Sequence, residues 1–356
     1  MIQRLPNQGF LKDKNVLITG HSGFKGGWLT LWLHKFGANV TGISLAPETN
    51  PNLFSEANIQ ELCSSKFIDI RNLEALKGEI SNIQPDIIIH MAAQPLVRRS
   101  YEQPIKTFDT NILGSINLLE AARNCSSVRT VIMVTTDKVY KNNEDGRSYN
   151  EDDHLGGHDP YSASKAASEI VIESYRKSFF TERNISISTA RAGNVIGGGD
   201  WSDDRLIPDA VKSWSANEVL EIRSPHSIRP WQHVLEPLNG YLILAEDTFQ
   251  NSGLAGAYNF GPSKNDEATV KDLIEQAQIV YEKGEIVFID SKSHLHEASL
   301  LSLNTEKAIS DLSFTPKWSL KEAIQNTITW YKKYEKGHQP LSLCISDIEN
   351  YEMTNG

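Results

Sequence analysis

Short apolar runs alternate with longer amphipathic stretches through the first half of the chain. Candidate strands are Asn15–Thr19, Asn39–Ser44, Lys66–Ile70, Ile87–Met91, Arg129–Thr135 and Ile185–Ala190. Apolar residues at helical spacing predict crossover helices near Leu73–Ile83, Lys106–Arg123 and Tyr161–Lys177, each long enough to join parallel strands. The fold class predicted by this pattern is α/β, with a doubly wound parallel sheet covered by helices on both faces.

The pattern changes after about Ala190, where Gly, Pro and Trp become frequent, as is typical of loops that carry a binding surface. Helical spacing returns at Pro237–Asp247, after the capping pair Thr269 and Asp272, and after the capping box Ser319 and Glu322. We therefore expect a smaller mixed α/β lobe beside the sheet domain. The predicted division is residues 10–195 with about 235–262 for the sheet domain, about 196–234 and 263–340 for the lobe, and a loosely held polar tail over 341–356.

The composition narrows the class of protein. The 356 residues are 39% hydrophobic and 22% charged, as in soluble globular proteins, which excludes a disordered or collagenous chain. A net charge of −10 provides no basic surface for nucleic acid or an anionic membrane, so an anionic substrate must meet a local cluster of cations. Three widely separated cysteines, and no signal-peptide or membrane-spanning run, predict a cytoplasmic protein without disulfides or a metal site.

A glycine-rich turn follows the first strand. The segment Gly20-His21-Ser22-Gly23-Phe24-Lys25-Gly26 opens a helix, and glycines there let backbone N–H groups approach a pyrophosphate, as in the Rossmann fold. A merely flexible turn is the alternative. Two interpretations of His21 and Lys25 stay open, namely contact with phosphate or exposure to water.

The residues at the ends of the second and third predicted strands help to distinguish NAD from NADP as the bound dinucleotide. Ser44 and Leu45 stand where a carboxylate normally holds the ribose hydroxyls, and Glu48 follows only after Pro47. No arginine lies nearby in the sequence to receive a 2′-phosphate, so NAD is favoured over NADP. Asp69 with Ile70 is a candidate adenine contact or an ordinary strand end.

A candidate catalytic group combines a helix with a strand end. Tyr161 and Lys165 are four residues apart and share one helical face, and the cation lowers the pKa of a tyrosine that must act as a base. Thr136, at the end of the fifth predicted strand, can bind the same sugar hydroxyl. Asp137 and Lys138 add an acid–base pair that hydride transfer does not need, which points to removal of water; a solvent-facing ion pair is the alternative.

The chain resembles the CDP-glucose 4,6-dehydratases of the extended short-chain dehydrogenase/reductase superfamily from about Lys12 to Tyr334. The motifs that carry this resemblance are the glycine-rich turn, Ala92-Ala93-Gln94-Pro95-Leu96-Val97-Arg98, Thr136-Asp137-Lys138-Val139-Tyr140, Gly193-Asn194-Val195-Ile196-Gly197-Gly198-Gly199-Asp200-Trp201 and Arg229-Pro230-Trp231-Gln232-His233-Val234. The related dTDP-glucose enzymes carry glutamate at the position of Lys138 and Glu-Ser-His at Gln94-Pro95-Leu96, so both departures point away from dTDP-glucose.

The resemblance implies an NAD-dependent cycle on a nucleotide-sugar. Tyr161 would take the proton of the sugar 4-hydroxyl, Lys138 the carbon-5 proton, and Asp137 would protonate the departing 6-hydroxyl. The implied cofactor contacts are Gly20, Gly23, Phe24, Lys25, Gly26, Asp69, Ile70, Ala92, Ala93, Gln94, Tyr161 and Lys165, and the implied substrate contacts are Arg98, Asn194, Arg229 and His296. Leu295 departs from a proline in the relatives, so a solvated surface stretch is the alternative for His296.

The resemblance also implies a homodimer or homotetramer, pairing through the helices near Lys106–Arg123 and Tyr161–Lys177, although their apolar positions could equally face the sheet. It places the product in deoxysugar biosynthesis, including that of lipopolysaccharide O-antigen. Two rival functions are a dehydratase or 4-epimerase acting on another nucleotide-sugar, and a dinucleotide-sensing protein without catalysis. Asp137 with Lys138 disfavours the epimerase, and Thr136, Tyr161 and Lys165 together disfavour the sensor.

Overall fold

The fold is built on a central sheet of seven parallel strands. The computed structural model describes residues 4–263, 266–289 and 300–354. The strands are β1 (Asn15–Thr19), β2 (Asn39–Ser44), β3 (Ser64–Phe67), β4 (Ile87–His90), β5 (Thr130–Val134), β6 (Ser186–Ala192) and β7 (Ala257–Phe260). Their order is β3-β2-β1-β4-β5-β6-β7, so the direction of winding reverses between β1 and β4. The predicted doubly wound α/β class is confirmed.

Helices cover both faces of this sheet. The helices discussed below are α1 (Phe24–Lys35), α2 (Leu73–Ile83), α3 (Val97–Glu102), α4 (Gly114–Arg123), α5 (Pro160–Tyr175), α6 (Leu206–Ser215), α7 (Leu235–Gln250), α8 (Val270–Tyr281), α9 (Leu320–Glu335) and α10 (Pro340–Met353); a seven-residue helix spans Glu306–Leu312. Apolar residues alternate between two cores along the strands: in β1, Val16 and Ile18 pack toward α1 and α7, and Leu17 packs toward α2 and α4.

Local sequence determines where the functional helices begin. Asp159 caps α5 by accepting a 2.9 Å hydrogen bond from the Ser162 N–H, and Pro160 occupies the first turn. The predicted capping boxes of α8 and α9, at Thr269 and Ser319, are both present. The helix predicted over Lys106–Arg123 instead consists of Pro104–Phe108, a wide π-helical turn over Asp109–Leu113, and α4.

Further short strands lie outside the seven-stranded sheet. Four pairs of short strands accompany α6, α8 and α9: Val195–Ile196 with Gln232–His233, Ile228–Arg229 with Ala268–Thr269, Val219–Ile222 with Glu285–Phe288, and Ser148–Tyr149 with Ser302–Leu303. Within the described ranges, no helix is both long and apolar enough to cross a membrane.

Three expectations differ from the structure. Strand β3 ends at Phe67 rather than Ile70, and β7 was not predicted. The expectation of a loosely held tail is wrong, because Pro340–Met353 is helical and buries Leu343, Cys344, Ile348 and Tyr351 against the core.

Candidate active site

One large cleft of about 1260 Å³ lies at the carboxyl ends of the sheet strands. It is lined by residues that directly follow β1, β4, β5 and β6, where doubly wound folds bind their ligands. Every predicted site residue of the described chain lines it except Asp137, which is fully buried directly behind its wall; His296 lies outside the described residues.

The glycine-rich turn closes tightly at one end of this cleft. Gly20 has a φ of +83°, and a Cβ on Gly26 would lie 2.0 Å from the Gly20 carbonyl oxygen. Gly23 caps α1 without a side-chain hydrogen bond, so the first N–H groups of α1 stay available to an anion. The turn is therefore a tight backbone cradle that any side chain at Gly26 would force apart, and this close backbone geometry is what a bound pyrophosphate requires.

The side chain of His21 neither faces water nor lines the cleft where a phosphate would bind. Its ring is buried beneath Gly42, with Nε2 2.7 Å from the Ser65 hydroxyl and Nδ1 3.1 Å from the Ser44 hydroxyl. Burial lowers the pKa of His21 to about 4, so the ring is neutral and anchors the turn to β2 and β3.

Lys25 is half-buried at the wall of the cleft. Its Nζ donates a 2.9 Å hydrogen bond to the Tyr241 hydroxyl and lies 5.0 Å from the centre of that ring. Burial, with the nearby charges of Arg205 and Lys165, lowers the pKa of Lys25 to about 7. The side chain lines the cleft, and its contact with a phosphate stays a prediction.

The part of the cleft near β2 and β3 holds two arginines that the sequence analysis did not place there. Arg71 pairs with Asp69 at 2.6 Å and with Asp109 at 3.0 Å, and Arg99 pairs with Glu48. Each guanidinium already has a carboxylate partner. Hydrogen bonds from Arg71 lower the pKa of Asp69. Asp69 remains the candidate adenine contact beside Ile70.

Ala92, Ala93 and Gln94 follow β4 and face the glycine-rich turn. A Cβ on Gly20 would lie 2.8 Å from the Ala92 nitrogen, so the two segments approach as closely as their backbones allow. The Gln94 amide donates to Thr107 at 2.9 Å and accepts from the Leu96 N–H at 2.7 Å. Gln94 therefore shapes this wall of the cleft.

Asp137–Val139 form a single helical turn after β5, which Thr136 caps, and this segment faces Tyr161 and Lys165 on α5. The Tyr161 hydroxyl is hydrogen-bonded to Thr136, and burial raises the pKa of Tyr161 to about 12. Lys165 donates to the Val134 carbonyl at 3.2 Å, and burial lowers its pKa to about 8. The structure thus brings the predicted catalytic residues together.

Asp137 and Lys138 are not a solvent-facing pair. Asp137 is 0% exposed, and its Oδ1 accepts hydrogen bonds from the Thr136 hydroxyl at 2.9 Å and Lys138 Nζ at 3.2 Å. Its Oδ2 is buried without a hydrogen-bond partner in the described chain. A Cβ on Gly193 would come within 3.0 Å of that oxygen, so glycine leaves it room.

The predicted substrate contacts surround this group. Asn194 Oδ1 lies 3.3 Å from Lys138 Nζ, which joins the two residues at the reacting end. Arg229 donates to the Ile228 carbonyl at 2.9 Å and lines the cleft, and Arg98 pairs with Asp204 at 3.0 Å.

Arg205 is a cleft residue that the sequence analysis missed. Its guanidinium lies 3.4 Å from the buried carboxylate of Asp200, and its charge favours lower pKa values for both Tyr161 and Lys25. The only sequence signal was its position in the polar loop after Trp201. Within the described ranges, no group of three His, Cys, Asp or Glu side chains could hold a metal ion.

Comparison with known proteins agrees with this geometry. The family model described as GDP-mannose 4,6 dehydratase matches residues 17–327. The CDP-glucose 4,6-dehydratase of Salmonella typhimurium is 41% identical over 351 residues, covering 97% of this chain and 98% of the relative.

Two solved structures have the same fold. The dTDP-glucose 4,6-dehydratase of Bacillus anthracis in complex with NAD has a TM-score of 0.75 at 22% identity, covering 92% of this chain and 99% of its own. The UDP-glucose 4-epimerase of Stenotrophomonas maltophila, with bound NAD, has a TM-score of 0.79 at 18% identity, covering 91% and 100%. Both of these structures hold NAD. The chain belongs to the GDP-mannose 4,6 dehydratase family and is one of its nucleotide-sugar 4,6-dehydratases.

Proposed function

We propose that this protein converts CDP-glucose to CDP-4-keto-6-deoxyglucose and water, with NAD as its hydride carrier. The observation that carries the proposal is the meeting of Asp137, Lys138 and Tyr161 at one cleft, because it supplies an acid and two bases where an epimerase needs one base. The relative with 41% identity is named for the same reaction on CDP-glucose, which supports the choice of nucleotide.

The residues around the glycine-rich turn suit a dinucleotide. The cradle at Gly20 and Gly26 and the first turn of α1 would hold the pyrophosphate, and Lys165 would hold the nicotinamide ribose. When bound, NAD supplies an acceptor for the carbon-4 hydride and then the donor that returns it to carbon 6.

Tyr161 begins the reaction by taking the proton of the sugar 4-hydroxyl as carbon 4 is oxidised. Its pKa of about 12 in the buried site must fall for this step, and the hydrogen bond with Thr136 and the positive charge of Arg205 act in that direction. The resulting ketone acidifies the proton on carbon 5, which Lys138 removes.

Asp137 then protonates the departing 6-hydroxyl, which leaves as water. A hydrogen-bonded route replaces the proton of Asp137, because Tyr161 bonds to Thr136 and Thr136 donates to Asp137 Oδ1. The proton taken from the 4-hydroxyl thus ends on Asp137 and restores its acid form, while the proton that Asp137 gave up leaves in the water molecule. Hydride return to carbon 6 and proton return from Lys138 to carbon 5 complete the product.

Substrate recognition is assigned to the two sides of the cleft. Arg229 would bind the diphosphate through its planar fork, with Arg98 as a further polar contact. Asn194 would hold the sugar beside Lys138. His296 keeps its predicted role as a nucleotide contact.

Proton NMR in deuterated water tests the function directly. The purified protein is given NAD and, separately, CDP-, dTDP- or GDP-glucose. A 4-keto-6-deoxy product from CDP-glucose with deuterium at carbon 5 is the expected result. Turnover of another nucleotide alone contradicts the substrate, and exchange between 4-epimers without loss of water contradicts the dehydration.

The assembly proposed is a homodimer, or a homotetramer formed from two such dimers. Ile105 is 84% exposed, and Phe108, Leu113, Ile170 and Phe179 are also exposed on the two helical stretches that pack together, one before α4 and the other along α5 and the turn that follows it. This apolar surface is available for a second copy. Light scattering should show at least a dimer for the native protein and monomers for Ile170→Glu.

The proposed compartment is the cytoplasm. Cys63, Cys125 and Cys344 are all free thiols, in keeping with a reducing environment. Detection of the protein in a cytoplasmic fraction would test this assignment.

A further inference from the structure

A buried ion pair lies directly behind the catalytic helix. Glu169 stands one turn after Lys165 on α5, and its Oε2 lies 2.8 Å from Nη2 of Arg191 on β6. The two side chains are 3% and 4% exposed, and no other ion pair within the described ranges has both members below a tenth. Burying two charges is costly, and such a pair often adds little stability, so its position suggests another role.

The carboxylate of Glu169 is fully engaged. Oε2 also accepts a 2.8 Å hydrogen bond from the Thr189 hydroxyl, and Oε1 accepts one from the Thr135 hydroxyl. Arg191 in turn donates to the Tyr140 hydroxyl at 2.9 Å and to the Glu151 carbonyl at 2.8 Å. This network holds Glu169 in one geometry.

Two contacts tie the end of β5 to α5. Thr135 donates to Glu169, and one turn earlier on the helix Lys165 donates to the Val134 carbonyl at 3.2 Å. Thr136, the hydrogen-bond partner of Tyr161, is the next residue along the strand. Glu169 therefore fixes the separation of the two elements that carry the catalytic residues.

The charges around Lys165 are mostly unfavourable to its own. It is buried near the Lys25 ammonium of α1 and the His90 ring of β4, and its charge lowers the pKa of each. Burial lowers the pKa of Lys165 itself to about 8, and the charge of Glu169 opposes that change. Asp137 lies beyond Thr136, and Arg191 faces the far side of Glu169.

We propose that Glu169 is a positioning residue, whose buried carboxylate holds the strand end against the catalytic helix and supplies the negative charge that keeps Lys165 protonated. The proposal rests on the role of Lys165 in holding the nicotinamide ribose. It does not depend on which nucleotide-sugar is dehydrated.

The test measures NAD affinity by calorimetry from pH 6 to pH 10 without any sugar substrate. In the native protein the affinity should fall as the pH rises through about 8, where free Lys165 loses its proton. Lys25, whose pKa burial lowers to about 7, is present in every variant, so the comparison uses the difference between their profiles. In Glu169→Gln the fall should begin about one pH unit lower or more. Glu173→Gln is the matched control, because Glu173 lies one turn further on α5 and pairs with Lys177 in solvent. Its profile should match the native one.

Glu169→Gln also leaves a buried guanidinium without its partner, so a second variant guards against misfolding. Glu169→Gln/Arg191→Gln removes both charges and should keep the displaced profile, whereas Glu169→Asp, which retains the charge, should restore most of the native one. Overlapping profiles for the native protein and the double variant overturn the proposal. A flat native profile overturns it together with the role of Lys165, while dehydration, followed separately by NMR, remains a test of the proposed function.

Discussion

Asp137 and Lys138 are adjacent residues whose surroundings separate their roles. Asp137 is fully buried with one oxygen unpartnered, whereas the Lys138 side chain is about a quarter exposed and reaches Asn194. We expect Asp137→Asn to lower the rate of water loss by about 10²- to 10⁴-fold, because the 6-hydroxyl loses its acid, while oxidation at carbon 4 continues. NMR of the product and absorbance of the reduced cofactor would measure the two steps.

Asp145→Asn is the control for that prediction, since Asp145 pairs with Arg147 on the surface and should be replaced without effect. Full-rate dehydration by Asp137→Asn would assign the acid to another group.

The Tyr161 hydroxyl is the group that distinguishes an enzyme from a dinucleotide sensor. Tyr161→Phe keeps the buried ring, so NAD affinity should change by no more than about threefold, but turnover should fall by at least about 10²-fold for want of a base. Calorimetry with NAD and NMR with CDP-glucose provide the two measurements. Unchanged turnover would remove Tyr161 from the proposed chemistry.

The glycine-rich turn makes a prediction at the scale of an element. In Gly26→Ala the new Cβ would lie 2.0 Å from the Gly20 carbonyl oxygen, so the turn must open and NAD affinity should fall by at least about tenfold. Gly78→Ala is the control: Gly78 lies inside α2, and beyond the backbone of that helix no atom lies within 4 Å of the new Cβ, so the change should stabilise the protein by about 0.5–1 kcal/mol. Calorimetry and denaturant unfolding would check both. Native NAD affinity in Gly26→Ala would contradict the cradle.

Elements with a strong local pattern could be predicted from the sequence, and those formed by tertiary pairing could not. Strands β1 and β2 are buried, and their predicted bounds match the structure. Strand β3 lies at the edge of the sheet and consists mostly of polar residues. The apolar residues Ile68 and Ile70 suggest a strand that continues to Ile70, but Ile70 packs against Gly114 instead. Strand β7 is four residues long and gains its place by pairing with β6.

The C-terminal helix α10 could have been predicted, because its sequence carries a clear amphipathic pattern. Leu343, Cys344, Ile348 and Tyr351 recur at helical spacing, and all four are buried in α10.

In the candidate site, too, contacts within one helix could be predicted from the sequence, and contacts between distant residues could not. Tyr161 with Lys165 is a spacing within one helix, whereas the burial of His21 against Ser65 and the approach of Arg205 to Tyr161 depend on residues more than 40 positions apart.

At the scale of the whole molecule, Glu236 joins α7 to the C-terminal part of the chain. Its buried carboxylate accepts hydrogen bonds from the N–H groups of Lys317 at 3.0 Å and Trp318 at 2.7 Å, and from the Tyr351 hydroxyl at 2.8 Å. An ionisable group thus holds the C-terminal helix α10 to α7.

This arrangement makes the stability of the molecule depend on pH. Burial raises the pKa of Glu236 from 4.5 to about 7, since the surrounding hydrogen bonds only partly offset it. Between those pH values the folded chain binds a proton that the unfolded chain has released. The stabilisation that this proton provides is complete below pH 4.5 and is lost as the pH rises through about 7. The loss between pH 5.5 and pH 8 is about 2 kcal/mol at 1.36 kcal/mol per pH unit.

Glu236→Gln has no carboxyl group to titrate at this position. Between pH 5.5 and pH 8 the free energy of unfolding of the variant should therefore decrease less than that of the native protein, and the difference should be about 2 kcal/mol. Denaturant unfolding at both pH values gives the comparison. Asp347, whose pKa burial also raises to about 7, titrates in both proteins and cancels in the difference. Parallel changes with pH in the two proteins would show that Glu236 is already ionised in the folded state, and that its three hydrogen bonds outweigh the cost of burying its charge.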